Sequence, residues 1–410
     1  MTRTLRLGAI AISLIVLSVL FSGCADEPRA VPPELTEQAQ IVGMPGVRSF
    51  VESADPLMES SLLDALRNED PAYFPVAADG TKEYSALAIS GGADNGAYGA
   101  GLLKGWSEAG GRPVFKVVTG VSTGALIAPF AFLGSDYDKN IENIYTNIST
   151  KDIAARKSLI NTFFGNSLAS SGPLAKLISD NATDDILKAI AREHLRGRRL
   201  FIGTVNIDAQ RLVVWDMGEI ATLASQGSLK AKKLFNDVLL ASASIPVTFP
   251  PVFIEVEAGG KIYKEMHVDG GTLTQVFYVY GMAHNIRNAA YKLGFDPKKI
   301  KAKLYVLRNG TVAPHWKAVK NRMGAIAERA IESMTNAQAV GDVYRLYAIS
   351  VEKGNEFRLA CVPDGYASHR KEFFDKEEMR RLFQIGYTEA RELRAWRDSP
   401  PGWEDLTGRK

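Results

Sequence analysis

The chain has 410 residues, of which 46% are hydrophobic and 23% charged, with a formal net charge of +3. This is ordinary globular composition, and the charge is too near balance, with no basic patch interleaved with aromatics, to imply a nucleic-acid partner. Two cysteines, Cys24 and Cys361, exclude a disulfide framework and a cysteine-built metal centre.

The first residues read as a targeting segment. Arg3 and Arg6 precede an apolar run over 7–21, shorter than the roughly 20 residues a spanning helix needs. The run ends Phe21-Ser22-Gly23-Cys24, which resembles the lipobox of bacterial lipoproteins, with Phe21 in the place of the usual leucine. That resemblance implies a signal peptide over 1–23, cleavage before Cys24, lipidation of that cysteine and tethering to a membrane of the bacterial cell envelope. Ala25 directly after Cys24 favours the periplasmic face of the outer membrane by resemblance to enterobacterial sorting. The alternative is a short uncleaved anchor. Cys361 sits in the apolar strand pattern Phe357-Arg-Leu-Ala-Cys-Val362 and is expected to be a buried structural residue.

Residues 24–81, rich in Pro, Glu, Asp and Ala, read as a tether leading into a loosely packed segment with one helical patch near 56–66. A continuous apolar strand over 84–90 then has the character of a buried parallel strand. It runs into Gly91-Gly92-Ala93-Asp94-Asn95-Gly96 and a helix over about 97–109. A glycine turn opening a helix aims backbone N–H groups at one point, so it is an anion site. A dinucleotide phosphate does not fit, because Ala93 stands where the second glycine of G-x-G-x-x-G belongs. A transient oxyanion fits better, because the next strand delivers a serine. That strand, through Val117-Val118-Thr119, ends in Gly120-Val121-Ser122-Thr123-Gly124, and an apolar helix starts at about Thr123. A serine on such a turn projects its hydroxyl off the sheet edge, and Gly120 and Gly124 leave room for two backbone segments to approach.

Residues 134–180 read as polar and mostly helical. Thr183 caps a helix ending near Leu195, and strands over 200–205 and 211–216 flank a turn at 206–210. A small-residue helix is expected over 237–244, then a hairpin across Ala258-Gly259-Gly260. Its second strand ends in Asp269-Gly270-Gly271. A strand over 304–307, a mostly helical stretch over 315–346, a strand over 356–362 and a capped amphipathic helix over 375–396 complete the reading. Residues 82–396 are expected to form one domain, with 397–410 as a tail.

Three motifs in register, Ser90-Gly91-Gly92 to Gly96, Gly120 to Gly124 and Asp269-Gly270-Gly271, together resemble the patatin-like phospholipases. Ala241-Ser242 through Phe249-Pro250 fits as well. The resemblance implies an α/β fold: a three-layer α/β/α domain with a mostly parallel central sheet and a nucleophile elbow. It implies a lipid acyl hydrolase using a Ser–Asp dyad with neither cofactor nor metal, acting on a lipid or phospholipid substrate. Ser122 is then the nucleophile and Asp269 the base. The amides of Gly91, Gly92, Ala93 and Thr123 form the oxyanion hole. Where the family has a third glycine and an Arg or Lys, this chain has Ala93 and Asn95. These two departures favour the alternative of a catalytically silent binding module. A third reading is a soluble-type esterase with a Ser–His–Asp triad. Its only candidate is His267, which shares a strand face with Asp269 and is expected to be half-exposed. His194, His284, His315 and His369 have no motif around them and are expected at the surface.

Overall fold

A computed structural model describes residues 29–51, 56–156, 166–278, 290–314 and 316–403. The lipobox-like stretch with Cys24, His284 and His315 lie outside these. Strands β1 (Gln40–Ile41) and β2 (Arg48–Phe50) and helix α1 (Pro56–Arg67) precede β3 (Lys82–Ile89), α2 (Gly96–Glu108), β4 (Phe115–Val121) and α3 (Thr123–Leu133). Then come α4 (Asp138–Asn147), α5 (Thr150–Ile153), β5 (Ala155–Arg156), β6 (Ala169–Ser170), α6 (Gly172–Asn181) and α7 (Asp184–Leu195). They are followed by β7 (Arg199–Asn206), β8 (Arg211–Asp216), α8 (Met217–Ser225), α9 (Leu229–Ser242), β9 (Val252–Ala258) and β10 (Lys261–Asp269). The last elements are β11 (Ile300–Arg308), α10 (Met323–Glu352), β12 (Glu356–Cys361) and α11 (Lys376–Arg391).

The centre of the sheet is parallel, in the order β12-β11-β3-β4-β7, and antiparallel strands extend it beyond β7. β-Branched and apolar runs with no polar alternation suit strands covered on both faces. Alternate residues of β3 divide between two cores. Leu87 and Ile89 face α2, α3 and α11, whereas Ala86 and Ala88 face Leu62 of α1 and Val343 and Leu346 of α10. The result is a three-layer α/β/α arrangement, as expected.

One junction positions the site. β4 and β10 lie end to end along the same edge of β7. Val121 pairs with Gly203, and the next β7 residue, Thr204, pairs with Asp269 at the end of antiparallel β10. Two strands running in opposite directions therefore bring their C-terminal ends together.

The expected loose segment over 24–81 is corrected from residue 29 onward. β1 pairs with β9 and β2 with β8, and Ile41, Met44, Val47 and Phe50 are buried. Arg48, also buried, pairs with Glu265 of β10. Strands of two or three residues show no periodicity in sequence, yet they cover sheet edges that would otherwise be open. The tail is also more ordered than expected. Arg397 exchanges backbone hydrogen bonds of 2.8 Å with Leu359, and Trp403 packs at a tilt against Tyr344 and edge-to-face against Tyr347. Two helix starts shift. α9 begins at Leu229, where the Ser228 side chain caps Ala231 N–H, and α10 runs Met323–Glu352, with residues 316–322 outside it.

Candidate active site

The turn after β4 is an elbow. Ser122 sits at φ 55°, ψ −125°, a conformation that costs an L-residue on the order of 1–3 kcal/mol and persists only where surroundings enforce it. Both glycines are enforced by contact. A Cβ on Gly120 would lie 2.4 Å from the Gly124 carbonyl oxygen, and one on Gly124 would lie 2.4 Å from that of Ile89. The Ser122 N–H donates to Ser242 Oγ at 3.0 Å, and that hydroxyl donates to the Gly203 carbonyl at 2.7 Å. Gly203 stands where β7 passes from β4 to β10, so Ser242 pins the elbow to the strand junction.

The junction sets the pair. Ser122 Oγ donates to Asp269 Oδ2 at 2.6 Å, and both residues are buried. Asp269 Oδ1 accepts from Gly271 N–H at 2.7 Å, and Asp269 N–H donates to the Ser244 carbonyl at 2.9 Å. Burial pushes the Asp269 carboxyl up to about 7, against the opposing effect of the hydrogen bonds from Ser122 and Gly271. A carboxylate with that affinity for protons can take one from a hydroxyl.

This shift has two opposite pH consequences. Base function requires the deprotonated form, so kcat/KM on a neutral ester is expected to rise with pH and level off above about 7. Stability runs the other way, because the folded-state pKa lies above the unfolded value of roughly 4. The contribution of Asp269 to stability is complete below that lower value and is lost as pH rises through about 7. A pH–rate profile alongside thermal melts at the same pH values checks both. An activity that is flat between pH 5 and 8 would contradict the assignment.

His267 is fully buried, not half-exposed. It does share a face of β10 with Asp269, but its ring is occupied elsewhere. Nδ1 lies 2.9 Å from Thr204 Oγ1 and Nε2 lies 3.1 Å from Glu265 Oε2. Trp215 and Arg48 complete this buried network, and burial lowers the His267 pKa. With both ring nitrogens engaged, the histidine does not stand between Ser122 and Asp269. His194 is also buried, against Asp216 and Glu219, whereas His369 is exposed.

The four amides expected at the oxyanion hole separate. Gly91 N–H donates to the Gln275 carbonyl at 2.9 Å and is spent, which corrects its assignment. Ala93 and Thr123 line the cavity over Ser122, and among the described residues neither N–H has a protein acceptor. Gly92 N–H is likewise without one but does not line that cavity. Gly92 has φ 155°, and a Cβ there would fall 2.0 Å from the Asn309 carbonyl oxygen. Ala93 holds a left-handed φ of 50°, so its methyl group does not prevent the turn that presents its N–H.

Several supporting residues belong to no motif. Gln275 joins two loops: its carbonyl holds Gly91, its Nε2 donates to the Gly271 carbonyl at 2.6 Å, and its own N–H donates to Asp342 at 2.7 Å. At the end of β11, Asn309 donates N–H and Nδ2 to Ser90, and Arg308 Nη1 donates to the Gly91 carbonyl at 3.1 Å. Burial lowers the Arg308 pKa to about 10. The available signal was positional, since a parallel strand ending in Arg308-Asn309-Gly310 reaches the same sheet edge. Asn95 makes no side-chain cap. Next to it, Arg370 Nη1 lies 3.4 Å from the buried Asp94.

Above Ser122 lies an apolar cavity whose walls include Leu126, Ile144, Leu174 and Phe249. Leu126, Ile144 and Leu177 also line a second apolar cavity that runs on to Phe235 and Leu239. The site therefore pairs a hydroxyl and a carboxyl with unpaired amides against an apolar cavity, and a second apolar cavity shares part of its wall.

Residues 87–278 match the family described as Patatin-like phospholipase. Among solved structures, the chain is similar to VipD from Legionella pneumophila at 13% identity, covering 78% of this chain and 69% of that one, with a TM-score of 0.36. No curated protein matches.

Proposed function

With a patatin-like phospholipase domain over residues 87–278, we propose that this protein is a serine lipid acyl hydrolase of phospholipase or esterase type, working through Ser122 and Asp269. The observation that carries the reading is the 2.6 Å hydrogen bond from an elbow serine to a buried carboxylate. As Ser122 Oγ bonds to the ester carbon, its proton passes to Asp269. The carbonyl electrons move onto oxygen, where the N–H groups of Ala93 and Thr123 stabilise them, by on the order of 3 kcal/mol per donor. Collapse expels the alcohol, which takes the proton from Asp269. Water then repeats the sequence on the acyl-enzyme and releases the fatty acid, and the apolar cavity over Ser122 receives its chain. Fatty-acid release from phospholipid vesicles by the full-length chain, together with labelling by a fluorophosphonate, tests this. A chain that neither hydrolyses nor labels is the silent binding module.

Membrane tethering through lipidated Cys24, with the outer membrane's periplasmic face as the destination, is part of the same proposal. It rests on the run over 7–21 and the Phe21-Ser22-Gly23-Cys24 sequence. A diacyl or triacyl cysteine supplies the more than one chain that stable anchoring requires. Cys24→Ser is expected to release the protein from the membrane fraction or leave the precursor uncleaved, as read by fractionation and intact mass. Recovery of unmodified wild-type protein in the soluble fraction would overturn the tether.

A further inference from the structure

Over its first half, helix α10 carries an apolar stripe that faces water. With 3.6 residues per turn, Met323, Ile326, Ala327, Ala330, Ile331 and Met334 fall within one arc of roughly 140°. All of them are exposed, Met323 at 88%, Ile331 at 62% and Met334 at 72%. The charged residues Glu328, Arg329 and Glu332 lie on the opposite side, where Arg329 and Glu332 are partly covered and pair with each other. A helix that turns an uncharged apolar stripe of this length to water has an unmet partner on that side.

Two further features identify that partner. The segment leading into the helix carries Trp316, 86% exposed, with exposed Lys317, Lys320 and Arg322, and no acidic residue occurs from Trp316 to Ala327. An indole, a basic cluster and an apolar stripe together match the headgroup and outer acyl layers of an anionic bilayer. The stripe also continues to the site. Gln338, one turn beyond Met334 and in line with it, donates its side-chain N–H to the carbonyl of half-exposed Leu273, in the loop that follows Asp269. One turn later Asp342 holds Gln275.

We propose that the first half of α10, with residues 316–322, is an interfacial docking surface that seats the protein on an anionic lipid bilayer with the active-site mouth against it. The inference rests on the lipid hydrolase reading for its purpose. The stripe binds independently of any acyl anchor, by laying its apolar side among the headgroups while the basic cluster meets anionic phosphates. Seating the half-exposed loop at Leu273 on the bilayer brings the lipid surface to the loop that carries Asp269.

The test uses the mature chain from residue 24 with Cys24→Ser throughout, so that neither an acyl anchor nor the apolar run over 7–21 contributes. Flotation with phosphatidylcholine vesicles, with and without phosphatidylglycerol, is read beside hydrolysis of the same vesicles and of soluble p-nitrophenyl butyrate. Ile331→Asp with Met334→Asp is expected to lower vesicle binding and vesicle hydrolysis by about tenfold or more, with soluble-ester kcat/KM unchanged. Lys317→Glu, Lys320→Glu and Arg322→Glu combined are expected to remove the preference for phosphatidylglycerol. Flotation equal to the parent in the first variant overturns the proposal. So does a parent that self-associates through this face without vesicles, as read by sedimentation and abolished by the same changes, since the occupant is then a second copy. A parent inactive on the soluble ester counts against the hydrolase reading, and flotation alone still decides the docking.

Discussion

Ser122→Ala is expected to lower ester hydrolysis on the order of a million-fold, leaving only the residual rate that the amides and the binding cavity supply. Fluorophosphonate labelling disappears with it. The fold is expected to survive, because what the structure asks of this position is mostly backbone. Its N–H still donates to Ser242, and Gly120 and Gly124 still allow the close approach of the strands. The hydroxyl donates its hydrogen bond to Asp269 Oδ2. That bond lowers the carboxyl's pKa, so its removal moves the group further up and leaves it protonated near neutrality, without a buried charge. Activity assays, probe labelling and a thermal melt on the purified variant check this. Labelling that persists on another residue would sink the nucleophile assignment.

The second large effect is at Asp269. Asp269→Asn is expected to reduce kcat/KM at least about a hundredfold, the usual lower range for a lost general base. The amide still accepts from Gly271 through its oxygen, so the turn is kept. Its nitrogen, however, presents a donor to Ser122 Oγ and cannot take the hydroxyl proton. The residual rate is expected to lose the rise towards pH 7. The contrast is His267→Gln. That change disturbs the buried network of Thr204, Glu265, Arg48 and Trp215, so it is expected to lower the melting temperature while the folded fraction retains most of its activity. If the histidine change removes kcat and the aspartate change spares it, the Ser–Asp reading is wrong. Steady-state kinetics corrected for folded fraction separate the two.

The features that were legible before folding share a physical origin. Gly120 is demanded by the Gly124 carbonyl within its own turn, Gly124 by that of Ile89 and Gly92 by that of Asn309, and in each case only glycine fits, so the residue type marks the turn in sequence even where the neighbour is distant. The buried strands were legible because both faces are covered and their residues are apolar without alternation. The hole was only half legible. The glycine turn announces a set of N–H groups, but which of them remain unpaired depends on Gln275, more than 180 positions away, whose carbonyl removes Gly91 from the set. Arg308 and Asn309 were missed for the same reason. Nothing around them distinguishes a strand end that braces a loop from one that does not.

Local patterning marked the strand–turn–helix at Ser122, the glycine turn at 91–96, the Asp-Gly-Gly turn at 269–271 and the α/β layering, because turn glycines and unbroken apolar runs stand together in the sequence even where the contacts that demand them are distant. Only the tertiary structure decided that Asp269 meets Ser122. That contact exists because β4 and β10 abut on one edge of β7, and strand pairing between distant segments leaves no mark in either segment. It also decided that Asp269 titrates near 7 while His267, two residues earlier, is held in a separate buried network. Desolvation and hydrogen bonding at a carboxylate or an imidazole are properties of what surrounds the group, and the surroundings are assembled from across the chain.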